Sequence, residues 1–323
     1  MNFEAILPFL RPIEHLILDA DISEVMVNGN GRIFVERQGV IEEIPGISIK
    51  EEVLQIAVKN IARRLGDDIG DGRPILDSRL PDGSRVAAIF PPCSIGGTTL
   101  SIRKFASKLF SVDELVRIGS LNVEVLSMLS SAIRDRKNIL ISGGTSTGKT
   151  TLLNALASLI DPADRMVVIE DTAELHLTQP NVVRLEARRE VPDTPEVPIR
   201  ALLRATLRLR PDRILLGEVR GADAFDLLQA LNTGHSGTLA TIHANSAAQS
   251  LRRLSTCVLQ SDVQLPFHAI QSGIADSINL LLHIERRAGK RIVGELLEVG
   301  GYDSQNDRFD LRVCYRANRE GVS

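Results

Sequence analysis

A glycine-rich run, GGTSTGKT from Gly143 to Thr150, is the strongest chemical signal in the sequence. It lies between an apolar strand pattern, NILIS, and an apolar helical pattern, the context in which the GxxxxGK[ST] motif binds phosphate. Its glycines let backbone N–H groups converge on an anion at the positive end of the following helix. Lys149 would bridge the β- and γ-phosphates of a nucleotide, and the Thr150 hydroxyl would bind Mg²⁺. The residues predicted to bind nucleotide are Gly143, Gly144, Thr145, Ser146, Thr147, Gly148, Lys149, Thr150 and Thr151.

Acidic residues follow two other apolar strand patterns. Hydrolysis of a nucleotide needs a carboxylate near Mg²⁺ and a group that orients the attacking water. The segment RILLGEV places Glu218 at the carboxyl end of a strand, where the ligand sites of α/β proteins lie. The segment RMVVIEDTAE places Glu170 and Asp171 at another such end, with Glu174 just beyond. Each acid alone is compatible with a solvated turn, but two strand ends after a phosphate loop favour a site.

Two histidines, His235 and His243, flank the strand pattern GTLATIH. A histidine at a strand end that points to the γ-phosphate would report hydrolysis by losing a hydrogen bond. A structural histidine bonded to backbone is an equally good interpretation of either residue from spacing alone.

Nine arginines lie between residues 184 and 220, accompanied by six acids. A charged helix face explains most of them, and one or two could stabilise transferring phosphate across a subunit boundary. The arginines are Arg184, Arg188, Arg189, Arg200, Arg204, Arg208, Arg210, Arg213 and Arg220.

The elements that must position these residues alternate between strand and helix from about residue 121. A helix is predicted at residues 149–160, and three apolar runs between residues 278 and 314 predict extra strands. This alternation is typical of a mostly parallel sheet covered on both faces, and so of an α/β domain. The buried strands are predicted at residues 138–142, 165–170, 213–219 and 237–243.

The first hundred residues show a different order of predicted strands and helices, typical of an α+β domain. We therefore predict an amino-terminal α+β domain at residues 1–104, a linker at 105–120 and an α/β domain at 121–323. The elements predicted in the first domain are strands at residues 23–27, 33–36 and 98–104 and a helix at 49–65.

Composition limits the function classes. The chain has 323 residues, 43% of them hydrophobic and 24% charged, with a net charge of −3, which excludes a disordered chain and a strongly basic nucleic-acid binder. Only 3% of residues are aromatic, so few platforms exist for stacking on single-stranded nucleic acid, and no direct nucleic-acid binding is expected. Cys93, Cys257 and Cys314 lie far apart without CxxC spacing, which excludes a zinc tetrad and favours a reducing cytosol.

Four segments together resemble the Walker A, Asp box, Walker B and His box of the secretion traffic ATPases: GGTSTGKTT, VIEDTAEL, LRPDRILLGEVRG and TGHSGTLATIHAN. Gly217-Glu218 resembles the strand-ending Gly-Glu that replaces the usual Walker B aspartate in that family. The segments DGRPILDSRLPDGSRV and SIRKF are similar to the branch that serves type IV secretion and conjugation. The sequence lacks the cysteine tetrad typical of type II secretion and pilus-extension ATPases, and it is most similar to the TrbB-type conjugal transfer ATPases.

This resemblance implies a RecA-like P-loop NTPase domain after a smaller PAS-like amino-terminal domain, assembled as a hexameric ring with ATP between the two domains. It implies that Arg85 and Arg103 reach the nucleotide from the amino-terminal domain. Glu218 would act through Mg²⁺ and the water, and His243 would sense the γ-phosphate. The general base would be one of three acids, Glu170, Glu174 or Glu218.

The expected protein is therefore a cytoplasmic ATP-hydrolysing motor, peripheral to the inner membrane. It would work with inner-membrane components of a secretion or conjugation apparatus, in pilus assembly or substrate translocation. Two alternatives belong to other classes: a nucleic-acid motor of RecA or helicase type, and a scaffold that binds ATP without useful turnover. The first should have a basic groove bearing aromatic residues, which the net charge of −3 and the aromatic content disfavour.

Overall fold

The structure is a computed structural model that describes residues 7–37, 39–80, 82–105, 109–188 and 194–318. The chain forms two compact units, Met1–Lys108 and Leu109–Ser323. Both ends of the chain, residues 106–108 of the predicted linker and Arg189 lie outside the described residues. Within those ranges, no helix is long and apolar enough to cross a membrane.

The first unit contains a six-stranded sheet and a long helix. Its elements are α1 (Glu14–Leu18), β1 (Ile22–Val27), β2 (Arg32–Arg37), β3 (Val40–Ser48), α2 (Glu51–Arg64), β4 (Ile75–Arg79), β5 (Arg85–Ile89) and β6 (Thr99–Arg103). Neighbouring strands are antiparallel, in the order β3-β2-β1-β6-β5-β4. The helical spacing of Leu54, Val58 and Ile61 gives α2 a buried face, which shares one hydrophobic cluster with strand residues such as Val25.

The predicted strands and helix of this unit match β1, β2, β6 and α2 to within a few residues at each end. Strand β3 was not predicted from the sequence. Most of its residues are exposed, so it lacks the alternation between apolar and polar residues that marks a half-buried strand.

The second unit contains an eight-stranded sheet between two layers of helices. Its helices are α3 (Val112–Arg117), α4 (Val123–Arg134), α5 (Lys149–Ala157), α6 (Ile199–Thr206), α7 (Asp223–Asn232), α8 (Ala247–Leu259) and α9 (Phe267–Ser277). Its strands are β7 (Ile139–Gly143), β8 (Met166–Glu170), β9 (Val182–Glu186), β10 (Arg213–Val219), β11 (Leu239–His243), β12 (Leu280–Arg287), β13 (Lys290–Asp303) and β14 (Arg308–Arg316).

The strand order in this sheet is β14-β13-β12-β7-β11-β10-β8-β9. The pairs from β12 to β9 are parallel, and β13 and β14 add an antiparallel edge. The sheet is therefore mixed, and the predicted extra strands near the carboxyl terminus are confirmed. The α/β fold predicted for this part of the chain is also confirmed.

Both faces of this sheet are buried, because successive residues of each central strand enter different clusters. Ile139 and Ile141 pack with α4 and α5, whereas Leu140 packs on the opposite face with α7 and α8. Polar side chains are thus largely excluded from the strand interiors, and the chemistry of the domain is left to the strand ends.

Residues 112–117 of the predicted linker form α3, which begins at a capping box made by Ser111 and Glu114. Leu115 of this helix is buried in the hydrophobic cluster that includes α4 and α5. This part of the predicted linker is therefore structured and packs in the second unit.

Candidate active site

The glycine-rich loop joins the carboxyl end of β7 to the start of α5, as predicted. Gly148 precedes the helix with a φ of 97°, a left-handed conformation that favours glycine. Gly143 is also required, because a Cβ atom there would lie 2.4 Å from the Ile284 carbonyl oxygen. The loop backbone thus has the conformation that this motif needs, and the N-terminal amides of α5 are the groups that bind an anion at a helix start.

Lys149 is buried although it carries a positive charge, with 8% of its surface exposed. Its Nζ atom donates hydrogen bonds to the carbonyl oxygens of Gly143, at 3.2 Å, and Gly144, at 2.9 Å. Burial of an ammonium group is costly unless it is well bonded. A phosphate that took the place of these neutral acceptors would satisfy the charge more fully.

His243 lies beside the loop because it is the register partner of Gly143 in the pairing of β11 with β7. Its Nδ1 atom is 3.3 Å from Lys149 Nζ, and its Nε2 atom is 2.7 Å from Glu218 Oε1. Burial lowers the pKa of the imidazole below its usual range, with Glu218 acting against this effect and Lys149 reinforcing it. The ring is therefore largely neutral at pH 7, and it joins the lysine to the carboxylate.

Glu218 is held from its other side by Arg220. Its Oε2 atom accepts hydrogen bonds from Arg220 Nε, at 3.0 Å, and Nη2, at 2.8 Å. Arg220 Nη1 in turn bonds Asp171 Oδ2 at 2.8 Å, so the ends of β8 and β10 are connected. The importance of Arg220 was not apparent from the sequence, where it is one of nine closely spaced arginines.

The donors of this site fit a nucleotide with bound Mg²⁺. Glu218 Oε1 is buried, and its neighbour in the described structure is His243 Nε2 at 2.7 Å, a contact that does not have standard hydrogen-bond geometry. The Thr150 hydroxyl lies in the first turn of α5, beside Lys149. Mg²⁺ prefers such oxygen ligands and keeps several positions for water and phosphate oxygens. Within the described ranges, no group of three or more His, Cys, Asp or Glu residues is arranged to hold a metal ion.

Glu170, at the end of β8, is almost completely buried, with 2% of its surface exposed. Its Oε1 atom accepts hydrogen bonds from the backbone N–H groups of Glu174, at 2.8 Å, and Leu175, at 3.0 Å. Burial raises the pKa of this carboxyl to about 6, although both backbone bonds act in the opposite direction. Gly217 allows Glu170 to approach β10, since a Cβ atom there would lie 3.1 Å from Glu170 Cγ. Glu170 thus organises the turn that follows β8, whereas the Glu174 side chain is only half-buried.

Arg85 and Arg103 face each other within the first unit. They are register partners on β5 and β6, and Arg79 on β4 is the partner of Arg85 on the other side. Like charges directly opposite each other destabilise a sheet unless an anion is present. A row of arginines on adjacent strands is therefore suited to bind a phosphate group.

Several of the nine closely spaced arginines have structural partners. Arg213 is buried, and its Nε atom bonds Asp164 Oδ2 at 2.7 Å. Asp226 accepts hydrogen bonds from Arg200 and Arg204 of α6. Only Arg200 and Arg204 of the set lie in a described helix, so the prediction that a charged helix face explains most of the nine arginines is wrong. The contacts of Arg200, Arg204 and Arg213 are instead structural ones that join helices and strands.

The two histidines have different surroundings. The His235 Nδ1 atom lies 3.1 Å from the Ala230 carbonyl oxygen, and the His235 backbone N–H bonds the same oxygen. His235 is thus a structural histidine at the end of α7. Of the two, His243 is the one that lies beside the phosphate loop.

Comparison with known proteins gives consistent matches over most of the chain. Residues 9–317 match the family model described as Type II/IV secretion system protein. The conjugal transfer protein TrbB of Rhizobium radiobacter is 39% identical over 288 residues, 88% of this chain and 85% of that protein. The type IV secretion system protein PtlH of Bordetella pertussis is 36% identical over 298 residues, 84% of this chain and 87% of that protein. The crystal structure of the VirB11 ATPase from the Brucella suis type IV secretion system, in complex with sulphate, is 29% identical with a TM-score of 0.50, and the match covers 91% of this chain and 94% of that one.

Proposed function

The chain belongs to the Type II/IV secretion system protein family, and we propose specific roles for its residues in ATP hydrolysis. It is an ATPase of a type IV secretion or conjugal transfer system. One contact series supports this function most directly, because Lys149, His243 and Glu218 meet at the carboxyl ends of parallel strands. A cation, a histidine and a carboxylate beside a phosphate loop are the groups that nucleotide hydrolysis requires.

The phosphate groups of ATP would be held by residues 143–151, with the loop amides and Lys149 as donors. Lys149 Nζ would exchange its bonds to the Gly143 and Gly144 carbonyls for bonds to the β- and γ-phosphates. Mg²⁺, when bound, would neutralise phosphate charge, and its protein ligands would be Thr150 and Glu218, the latter directly or through water.

Glu218 is the best-placed acid to orient the attacking water, since its buried Oε1 atom faces His243. Glu170 is the less suitable general base, because backbone N–H groups already occupy its Oε1 atom. His243 would sense the γ-phosphate through the ring nitrogen that lies near Lys149. A catalytic role for the Glu174 side chain remains a prediction; the backbone N–H of this residue donates the hydrogen bond to Glu170 Oε1 that positions the turn.

Arg85 and Arg103 would bind a phosphate group of the nucleotide and relieve their mutual repulsion. We propose a PAS-like first domain from the predicted residues 1–104 and a RecA-like second domain that includes, besides the predicted residues 121–323, the part of the predicted linker 105–120 that packs with it, from Leu109 onward. The active assembly would be a hexameric ring, cytoplasmic and peripheral to the inner membrane. Its work would be pilus assembly or substrate translocation with inner-membrane components of the apparatus.

Substitution of the loop lysine tests this function. Lys149→Ala should reduce steady-state phosphate release by at least about 100-fold, because the group that neutralises transferring phosphate is removed. Lys137→Ala, which removes an exposed lysine of the same unit, is the matched control and should retain the rate of the unmodified protein. Unchanged phosphate release by the Lys149 variant would overturn the proposed site.

A further inference from the structure

The antiparallel extension of the second sheet lies directly against the phosphate loop. Strand β12 pairs in parallel with β7, so that His283 is the register partner of Ser142, the residue before the loop. The buried Ser142 Oγ atom lies 2.9 Å from His283 Nδ1. The position of β12 is therefore fixed relative to the first residue of the loop.

The hairpin formed by β12 and β13 also contacts both ends of the loop. The Ile284 carbonyl oxygen would lie 2.4 Å from a Cβ atom at Gly143. At the other end, a Cβ atom at Gly148 would lie 3.4 Å from Arg291 Cδ. The hairpin thus lies along the loop from its first glycine to its last.

Arg291 of β13 makes a specific bond at the middle of the loop. Its Nε atom donates a hydrogen bond of 3.1 Å to the Ser146 carbonyl oxygen. Ser146 has a φ of 57°, a left-handed conformation that residues with a side chain rarely adopt. A bond from outside the loop therefore stabilises a backbone conformation that the local sequence does not favour by itself.

The orientation of one peptide group follows from this bond. In a trans peptide the C=O and N–H groups point in opposite directions. Since the Ser146 C=O points to Arg291, the Thr147 N–H points away from the hairpin. That amide belongs to the loop residues that the motif assigns to phosphate binding.

We propose that Arg291 is a positioning residue, whose bond to Ser146 holds the Ser146–Thr147 peptide in the orientation that binds phosphate. The inference rests on the proposed nucleotide site and adds a residue outside its sequence motifs. A fixed orientation before binding reduces the cost of ordering the loop when the nucleotide arrives. Pairing with β12 does not explain why an arginine stands at position 291, because its register partner on β12 is another arginine, Arg286.

Nucleotide affinity tests the proposal. Arg291→Ala in the full chain should raise the Kd for the fluorescent nucleotide mant-ADP about fivefold, the size of one ordinary hydrogen bond, because the lost bond acts on the nucleotide only through the loop. Arg286→Ala removes the same charge from the facing position and is the matched control, with a change below about twofold expected. Arg291→Lys keeps the charge and a donor, and should recover part of the lost affinity.

Equal Kd values for the unmodified protein and Arg291→Ala would overturn the proposal, as would equal losses in the Arg291 and Arg286 variants. Absence of mant-ADP binding by the unmodified protein would instead overturn the proposed nucleotide site. A second measurement needs no nucleotide: amide hydrogen exchange of residues 143–150 should be faster in Arg291→Ala than in Arg286→Ala. Equal exchange in the two variants would also contradict a positioning role.

Discussion

The two sheets of this molecule hold their charged residues in different ways. In the eight-stranded sheet both faces are buried, and Glu170, Glu218 and His243 lie at the carboxyl ends of strands. In the six-stranded sheet β5 and β6 bury alternate residues, and Arg85 and Arg103 occupy the other face. A charge at the end of a buried strand is recognisable as a candidate site from sequence, whereas a charge on an open face looks like any surface residue.

The charged residues of the two sheets are also held in position in different ways. Glu218 and Glu170 have bonding partners that fix their orientation before a nucleotide binds. Arg85 has arginines as register partners on both sides, Arg79 and Arg103, a repulsive arrangement that an anion would relieve, whereas Arg103 also faces Glu24 on β1. Substitutions of these residues should therefore affect phosphate release and the free energy of unfolding to different extents in the two sheets.

The largest effect is expected at Glu218. Glu218→Gln should lower the rate of phosphate release by about 100-fold or more, because the carboxylate that orients water is lost. Binding of mant-ATP should change less than about threefold, since the loop and Lys149 remain. Glu298→Gln, which alters a carboxylate paired with Arg312, is the control. Similar rates for the Glu218 variant and the unmodified protein would show that the strand end is not catalytic.

A smaller effect, on the free energy of unfolding and dependent on pH, is expected at Glu170. Its pKa of about 6 in the folded protein lies above the ordinary value of 4.5, so the folded state binds more protons than the unfolded state between these pH values. This carboxyl therefore makes the free energy of unfolding fall by about 2 kcal/mol as pH rises through that window.

Urea unfolding of the unmodified protein and Glu170→Gln between pH 4 and pH 7 measures this contribution, because other titrating groups cancel in the difference. The difference between the two proteins should change mainly between about pH 4.5 and pH 6. A difference independent of pH would mean that Glu170 titrates normally and is not desolvated as the structure indicates.

The smallest effects are expected on the open face of the first sheet. Arg85→Ala or Arg103→Ala should lower phosphate release about tenfold, the value of one charge-assisted contact to phosphate. Arg85→Ala should leave the free energy of unfolding unchanged or raise it by about 0.5 kcal/mol, because both register partners of Arg85 are arginines. Arg103→Ala should change it less, because Arg103 also faces Glu24. Arg64→Ala, on the exposed side of α2, is the control for both measurements. Variants that are less stable but release phosphate at the unmodified rate would contradict a phosphate-binding role for Arg85 and Arg103 and would indicate a structural one.

Much of the second unit could be predicted because its signals are local. The motif at 143–150 and the apolar strand patterns around it are contiguous in sequence, and the structure places Glu218 and His243 at strand ends near Lys149. Strand β9 was not predicted, and its residues are only partly buried or exposed. An edge strand of this kind carries a weaker pattern than the buried strands beside it.

The missed features depend on contacts between distant residues. Arg291 reaches Ser146 only because the register of β12 on β7 carries the hairpin to the loop. The role of Glu170 depends on backbone N–H groups in the turn after β8, which residue types alone do not reveal. The link from Arg220 to Asp171 likewise requires β8 and β10 to be neighbours in the sheet. Sequence patterns identified the candidate groups, and tertiary structure determined how they are oriented.

A crystal structure of the protein with Mg²⁺ and a non-hydrolysable ATP analogue would test the central claim most directly. We predict that Lys149 Nζ leaves the Gly143 and Gly144 carbonyls and lies within hydrogen-bonding distance of the β- or γ-phosphate. We also predict that Thr150 binds Mg²⁺ and that Glu218 faces the water opposite the γ-phosphate. A nucleotide bound elsewhere, or a lysine still bonded to the two carbonyl groups, would contradict this assignment of the active site.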